Sequence, residues 1–179
     1  NNDMLVSISD MRIINEMSIE DIKSQSSALN QSSVIVIDTN IPTHVIEYVT
    51  EQFSHIPLFL DTVSIAKASK IKHLIGRFHT VKPNRLETEL ITGIKITDQP
   101  SMLRSAKNLF DRGCKQIFIT LGEEGVFYYD GKDYGKYAQE KVEVVSANGA
   151  GDAFFAGMIY GFLKLNSIKE TVKYASAAA

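Results

Sequence analysis

Apolar residues recur along this chain in two alternating rhythms. Short runs rich in β-branched residues mark strands buried in a sheet; longer stretches with apolar positions three and four apart mark helices packed on it. The first run is Met4 to Ile8. Ser18 precedes a predicted helix from Ile19 to about Leu29, with Asp21 in its first turn as an N-terminal signal. Val34-Ile35-Val36-Ile37 predicts a strand buried on both faces. It ends in Asp38-Thr39-Asn40, and Pro42 sits where the first turn of a helix running to about Phe53 tolerates it. Ile56 to Asp61 is the next strand, with its proline confined to the beginning. Ser64 starts a helix that carries Ile65, Ala68, Ile71 and Leu74 at helical spacing. Phe78 to Val81 is a strand running into Lys82-Pro83-Asn84, and Leu86 to Ile91 is a short helix closed by Gly93. Ser101 is the expected cap of a helix with Leu103, Ala106 and Phe110 on one face, ended by Gly113. Gln116 to Thr120 is another buried strand.

The rhythm breaks after Gly122. Val126 to Tyr129 and Tyr134 to Tyr137 flank the turn Asp130-Gly131-Lys132-Asp133 and predict a hairpin. Lys141 to Val145 returns as a strand, a helix runs from the glycine turn near Gly149 to about Leu165, and a last helix starts near Ser167. Strand and helix alternating at short intervals predict an α/β fold: a mainly parallel central sheet with helices on both sides. No repeat, low-complexity tract or linker interrupts it, so residues 1–179 read as a single α/β domain.

Composition narrows the function more than the fold. At 179 residues the chain can bury a substantial core. A net charge of −2 gives the whole molecule no general attraction for nucleic acid or for membranes. The longest apolar run, Ala153 to Leu163, is far short of the ~20 residues needed to span a bilayer. One cysteine, Cys114, excludes an intrachain disulfide framework and a cysteine-based zinc cluster, and it agrees with a reducing cytoplasm. The start Asn1-Asn2-Asp3 lacks the basic opening of a signal peptide. With no initial Met and a helix still running at Ala179, the chain reads as a piece of a longer protein.

The chemistry concentrates in Gly149-Ala150-Gly151-Asp152, which leads into the apolar helix. Glycines allow close backbone approach to a ligand, and the unpartnered amides of a helix start suit an anion. A carboxylate beside such a cradle would repel the anion but could take a proton from a hydroxyl attacking a phosphate. On these residues alone, a glycine turn whose Asp152 caps the helix is an equal reading. Further polar groups lie just past predicted strands: Asp38-Thr39-Asn40, Asp61-Thr62, Lys82-Pro83-Asn84 and Thr120-Leu121-Gly122. In open parallel sheets, that rim is where ligands bind. Between Thr62 and Leu86 there is no acidic residue but six Lys or Arg and two His, either a solvated basic face or an attractor of anionic nucleotide. The four His residues show no zinc spacing, and no P-loop pattern occurs.

The glycine stretch resembles the second signature of the ribokinase-like (PfkB) carbohydrate and nucleoside kinases. That resemblance implies a ribokinase-like three-layer α/β/α fold, here without its N-terminal part and lid. It also implies phosphoryl transfer from ATP to an alcohol, with Asp152 as base and the amides of Gly149, Ala150 and Gly151 as the anion hole. Lys82-Pro83-Asn84-Arg85-Leu86-Glu87 is similar to the family's Asn-x-x-Glu motif, which implies that Asn84 and Glu87 organise Mg2+ and the nucleotide phosphates largely through water; Lys82, which borders Asn84, is the best candidate in the basic stretch for a phosphate contact. Such a hard ion retains waters and needs few protein oxygens. Thr120-Leu121-Gly122-Glu123-Glu124-Gly125 is similar to the family's turn beside the nucleotide, which places Thr120, Gly122 and Gly125 there. Ser146-Ala147 stands where most members have Asp-Thr, positions that help enclose a monovalent cation, so this departure speaks against activation by K+.

Ile8-Ser9-Asp10-Met11, Asp38 to Pro42, Val63 to Ala68 and His79 to Glu87 together look like the pseudouridine kinase branch, whose acceptor is the ribose 5′-hydroxyl of pseudouridine. The resemblance thus implies a small sugar or nucleoside partner and a homodimer formed through the missing lid. Another sugar kinase of the family and a noncatalytic nucleotide-binding module stay open. A dinucleotide-dependent oxidoreductase is weaker, because its glycines belong after the first strand of a βαβ unit.

Overall fold

The computed structural model describes residues 10–138, 149–165 and 167–179. The expected strands from Met4 to Ile8 and from Lys141 to Val145 lie outside them, as do Ser146 and Ala147. The described chain opens with three short helices, α1 (Arg12–Asn15), α2 (Ile19–Ser24) and α3 (Ser26–Asn30). A single helix was expected from Ile19 to Leu29. It divides at Gln25, whose backbone leaves the helical region at φ −102°, ψ 6°. Asp21 and Ser18 form the capping box that starts α2.

Three βα units and a fourth strand follow. They comprise β1 (Ile35–Asp38), α4 (Thr43–Gln52), β2 (Leu58–Asp61), α5 (Ile65–Ile71) with a 3₁₀ turn over Lys72–Arg77, β3 (Thr80–Lys82), α6 (Arg85–Thr92), α7 (Gln99–Asp111) and β4 (Gln116–Thr120). The hairpin β5 (Val126–Tyr129) and β6 (Tyr134–Tyr137) closes the sheet, and α8 (Ala150–Lys164) and α9 (Ile168–Ala178) complete the described chain. Strand order is β1-β2-β3-β4-β5-β6, parallel from β1 to β4 and antiparallel across β4-β5 and β5-β6. This is the mixed, mostly parallel sheet the alternation predicted.

Because successive strand residues point to opposite faces, the sheet feeds two cores. Ile35, Ile37, Leu58, Leu60, Val81, Ile117, Ile119, Phe127 and Tyr129 join one core with α4, α5, α6 and α7. Phe59, Phe118, Val126 and Tyr128 join the other, with Phe154, Phe155 and Met158 of α8 and Val172 and Ala175 of α9. Val36 departs from expectation: it is 48% exposed, because among the described residues α8 and α9 cover the sheet around β2 to β5 rather than β1. Ser101 is not the cap of α7. Asp98 is, and it accepts from Ser101 N at 2.8 Å while Ser101 Oγ reciprocates by accepting from Asp98 N at 3.0 Å. Pro100 sits in the first turn, where its missing N–H costs nothing.

Two glycines set the distance between α8 and α9. A Cβ on Gly157 would lie 2.6 Å from Ala175 Cα, and one on Gly161 would lie 2.5 Å from Thr171 Cγ2. At Gly157 the backbones of the two helices meet, and at Gly161 α8 meets the Thr171 side chain, which fixes α8 across the sheet. Among the described residues, no helix is long and apolar enough to cross a membrane.

Candidate active site

The carboxyl ends of the four parallel strands form one rim, and the register decides which side chains meet on it. Asp38 pairs with Asp61, Asp61 with Lys82, and an isolated bridge joins Asn84 to Thr120. Alternation places Asp38, Asp61, Lys82 and Thr120 on the face shared with Val36, Phe59 and Phe118, which is the face α8 covers. Neighbouring strands lie about 4.8 Å apart, so these groups form a row roughly 15 Å long.

At the middle of that row, Lys82 Nζ meets Asp61 Oδ2 at 3.0 Å, with the two side chains only 10% and 15% exposed. The ammonium lies 5.9 Å from the Phe155 ring centroid and 3.8 Å from where a Cβ on Gly151 would stand. Asp61 Oδ1 accepts from Val63 N at 3.1 Å. Val63 has φ 57°, in the left-handed region that a β-branched side chain avoids, and Ser64 N closes the turn onto Thr62 O at 2.6 Å. On the β1-β2 side of this pair, a cleft of about 620 Å³ is lined by Val36, Asp38, Asn40, Asp61, Val63, Asp152 and Phe155, among others.

On the β3-β4 side, Asn84 and Glu87 form the capping box of α6. Asn84 Oδ1 accepts from Glu87 N at 2.9 Å, and Glu87 Oε2 accepts from Asn84 N at 2.9 Å. Glu87 Oε1 accepts from Asn84 Nδ2 at 2.8 Å, and Thr62 Oγ1 donates to Oε2 at 2.5 Å. Glu87 is 3% exposed, so it is a buried brace between β2 and α6 rather than a solvated helix residue. Thr120 N donates to Pro83 O at 3.0 Å, which ties the next turn to the same corner. In that turn Gly122 and Gly125 both take positive φ (61° and 91°), and Leu121 N bonds Gly125 O at 2.9 Å. Glu124 anchors it to Arg85 at 2.5 Å and to Lys136 at 2.8 Å.

Gly149, at φ 83°, is the N-cap of α8, and its carbonyl accepts the first helical bond from Ala153 N at 2.8 Å. No described side chain caps this end. The amides of Ala150, Gly151 and Asp152 therefore leave the first turn without an intrahelical acceptor, and the space over Gly149 is open. Asp152 is exposed on that turn and faces the cleft. The glycine turn thus stands where the cleft meets Lys82, with Asn84 and Thr120 beyond.

A scan against family models matches residues 10–179 to the pfkB family carbohydrate kinases. The chain belongs to the pfkB family of carbohydrate kinases. It is 30% identical over 178 residues to the pseudouridine kinase of Escherichia coli K12, covering 99% of this chain and 57% of that one. It is 31% identical over 177 residues to the uncharacterized sugar kinase YeiI of the same organism, covering 98% and 49%. A crystal structure from Clostridium perfringens, assigned as a sugar kinase, superposes with a TM-score of 0.90 at 36% identity, covering 98% of this chain and 56% of that one. The chain therefore spans about half the length of these relatives.

For a pfkB-family chain, the question is how the Asn84–Glu87 corner suits Mg2+. Both side chains are engaged with each other, and among the described residues no group of three or more His, Cys, Asp or Glu could hold a metal ion. That donor set fits an ion held through its own waters and does not fit a cage of direct ligands.

The basic stretch from Thr62 to Leu86 is partly a solvated face, with Lys72, His73 and Arg77 exposed, but its charges are paired. Lys67 donates to Asn40 Oδ1, Lys70 to Ile41 O and Lys72 to Leu90 O. His73 meets Glu47, Arg77 meets Glu51, Lys82 meets Asp61 and Arg85 meets Glu124. His79 Nδ1 lies 2.8 Å from Thr80 Oγ1. Each charge of the run is spent tying one βα unit to another. Sequence reasoning listed Asp61 and Thr62 only as polar groups on the rim and gave neither a partner. The signal for both was their place at the end of β2, opposite Lys82.

Proposed function

We propose that this chain carries the catalytic and nucleotide-side half of an ATP-dependent phosphotransferase that phosphorylates a hydroxyl of a small sugar or nucleoside. Pseudouridine is the acceptor best supported, through similarity to a pseudouridine kinase over nearly the whole chain. The observation that carries the reading is the order of groups along the rim: cleft, Asp152, glycine turn, Lys82, then Asn84 and Thr120. An acceptor in the cleft would face Asp152, and a nucleotide along the β3-β4 corner would bring its γ-phosphate to the glycine turn.

In that arrangement the acceptor oxygen bonds to the γ-phosphorus as the bond to the β,γ-bridging oxygen breaks. The hydroxyl proton passes to Asp152, and ADP leaves. The amides of Gly149, Ala150 and Gly151 hold charge developing on the transferred group, where preorganised donors stabilise a transition state most. Lys82 supports the same phosphoryl group, and Thr120, Gly122 and Gly125 border the nucleotide. Asn84 and Glu87 would hold Mg2+ through its waters, and the ion would supply charge neutralisation on the phosphates. Phosphoryl transfer is loose, so positioning does more than strong base catalysis. Ser146-Ala147 speaks against activation by K+, and the same reading takes a small molecule as acceptor, rather than nucleic acid or membrane, and the missing lid as a homodimer contact. The setting is cytoplasmic.

The test is Asp152→Ala in the full-length protein, assayed with ATP, Mg2+ and a panel of sugars and nucleosides including pseudouridine. Turnover should fall about 100-fold or more. Near wild-type turnover by the variant would refute the role of Asp152. ATP binding without transfer to any alcohol by the wild type would instead favour a noncatalytic nucleotide-binding module.

A further inference from the structure

The pair at the centre of the rim holds more than two charges. A buried lysine that must meet a phosphate has to be held still, since its stem has four rotatable carbons and its ammonium no directional preference. Lys82 is held by one carboxylate, Asp61, at 3.0 Å. Asp61 is itself held on its other oxygen by Val63 N, in a turn whose Val63 backbone sits in the left-handed region at φ 57°. Thr62, in the same turn, donates to Glu87 and so ties the turn to the capping box of α6. A strained backbone on a β-branched residue persists only where its surroundings over-determine it, and such strain gathers at working sites. Here it aims one carboxylate at one lysine, 3.8 Å from the position a Cβ on Gly151 would take.

We infer that Asp61 is a positioning residue: with the Thr62-Val63-Ser64 turn it fixes the Lys82 ammonium beneath the glycine turn of α8, at the place the transferred phosphoryl group must pass. This rests on the phosphotransfer reading above and adds a residue to it. Asp61 also opposes the nucleotide by its charge, so its two effects have opposite signs. It slows binding of a polyphosphate while speeding transfer from it. That opposition distinguishes positioning from a merely structural role.

The experiment measures ATP dissociation constants and kcat for Asp61→Asn, Asp61→Glu and Lys82→Met in the full-length protein, with Asp152→Ala as the control on the underlying reading. For Asp61→Asn, kcat should fall on the order of 10- to 100-fold, the cost of an ångström-scale misplacement. Its ATP dissociation constant should stay level or tighten, because a carboxylate has left the neighbourhood of the phosphates. Asp61→Glu keeps the buried charge but moves it by one methylene, so it should lose kcat to a similar degree and carries the test if the Asn variant does not fold. Adding Asp61→Asn to Lys82→Met should lower kcat no further, as expected of two residues acting as a unit. Wild-type kcat in both Asp61 variants, while Lys82→Met and Asp152→Ala are slow, overturns the inference and leaves the phosphotransfer reading standing. Parallel loss of ATP affinity, kcat and melting temperature also overturns it, since that is how a structural brace behaves. Failure of the phosphotransfer reading shows separately, as an active Asp152→Ala.

Discussion

Glu87 separates a structural role from a metal role more sharply than any other residue of the site. Its carboxylate is 3% exposed and accepts from Asn84 N, Asn84 Nδ2 and Thr62 Oγ1. Truncation to Ala removes half of a capping box, worth about 1 kcal/mol, and leaves three donors facing a void. Each unsatisfied buried donor costs about 1–3 kcal/mol when water cannot reach it. With partial rescue by water and non-additivity, Glu87→Ala should destabilise by about 3 kcal/mol. Glu87→Gln keeps the shape but turns an amide N–H toward one of those donors, so about 1–2 kcal/mol is expected. The assay is urea unfolding with and without Mg2+. The structural cost should appear in full without the ion, since the hydrogen bonds are already made. A midpoint for Glu87→Ala indistinguishable from wild type in metal-free buffer would refute the reasoning. It would mean that the carboxylate is not holding β2 to α6.

Two further outcomes follow from packing and burial. Gly157→Ala puts a methyl 2.6 Å from Ala175 Cα, so α8 and α9 must separate, and thermal melting should report about 1–3 kcal/mol of lost stability despite the better helix propensity of Ala. His79 packs against Phe59 and Phe162, and burial first, then the Lys115 charge, holds its pKa below the usual 6.5. Because the folded-state pKa is lowered, the stability tied to neutral His79 is present above pH 6.5 and is lost as pH falls through the folded value. Unfolding free energy measured from pH 7 down to 5 should therefore decline in wild type and decline less in His79→Phe; identical slopes would contradict this.

Element types were readable because alternation of apolar runs survives any tertiary context. Ser18, Ser64 and Ser167 cap the helices they precede. Ser101 misled because a serine at N3 of a capping box resembles a serine at the N-cap; the Asp three residues before it was the better sign. Val36 misled for a different reason. A run of four β-branched residues predicts burial on both faces, but whether a helix covers the second face depends on elements far along the chain. The rim groups were legible as strand-end residues, since strand ends of a parallel sheet share an edge. Their partners were not. That Asp61 meets Lys82, and Thr62 meets Glu87, depends on register between strands about twenty residues apart in sequence. The left-handed Val63 had no sequence signal, as propensity places such a residue there last.

The close contact of α8 with α9 has a mechanical consequence. From Gly149 to Gly161 the helix runs about 18 Å, and over that length it behaves as a stiff bar. The glycines at 157 and 161 act as its bearing on α9, while its opposite tip carries the uncapped amides of the glycine turn. A tilt of about 3° at the bearing displaces the tip by about 1 Å, the scale of misplacement that costs a reaction about 100-fold. The tolerance of the chemistry is thus an angular tolerance machined far from it. On the proposed function, small residues at 157 and 161 would be as much a part of the alignment as the glycines at 149 and 151.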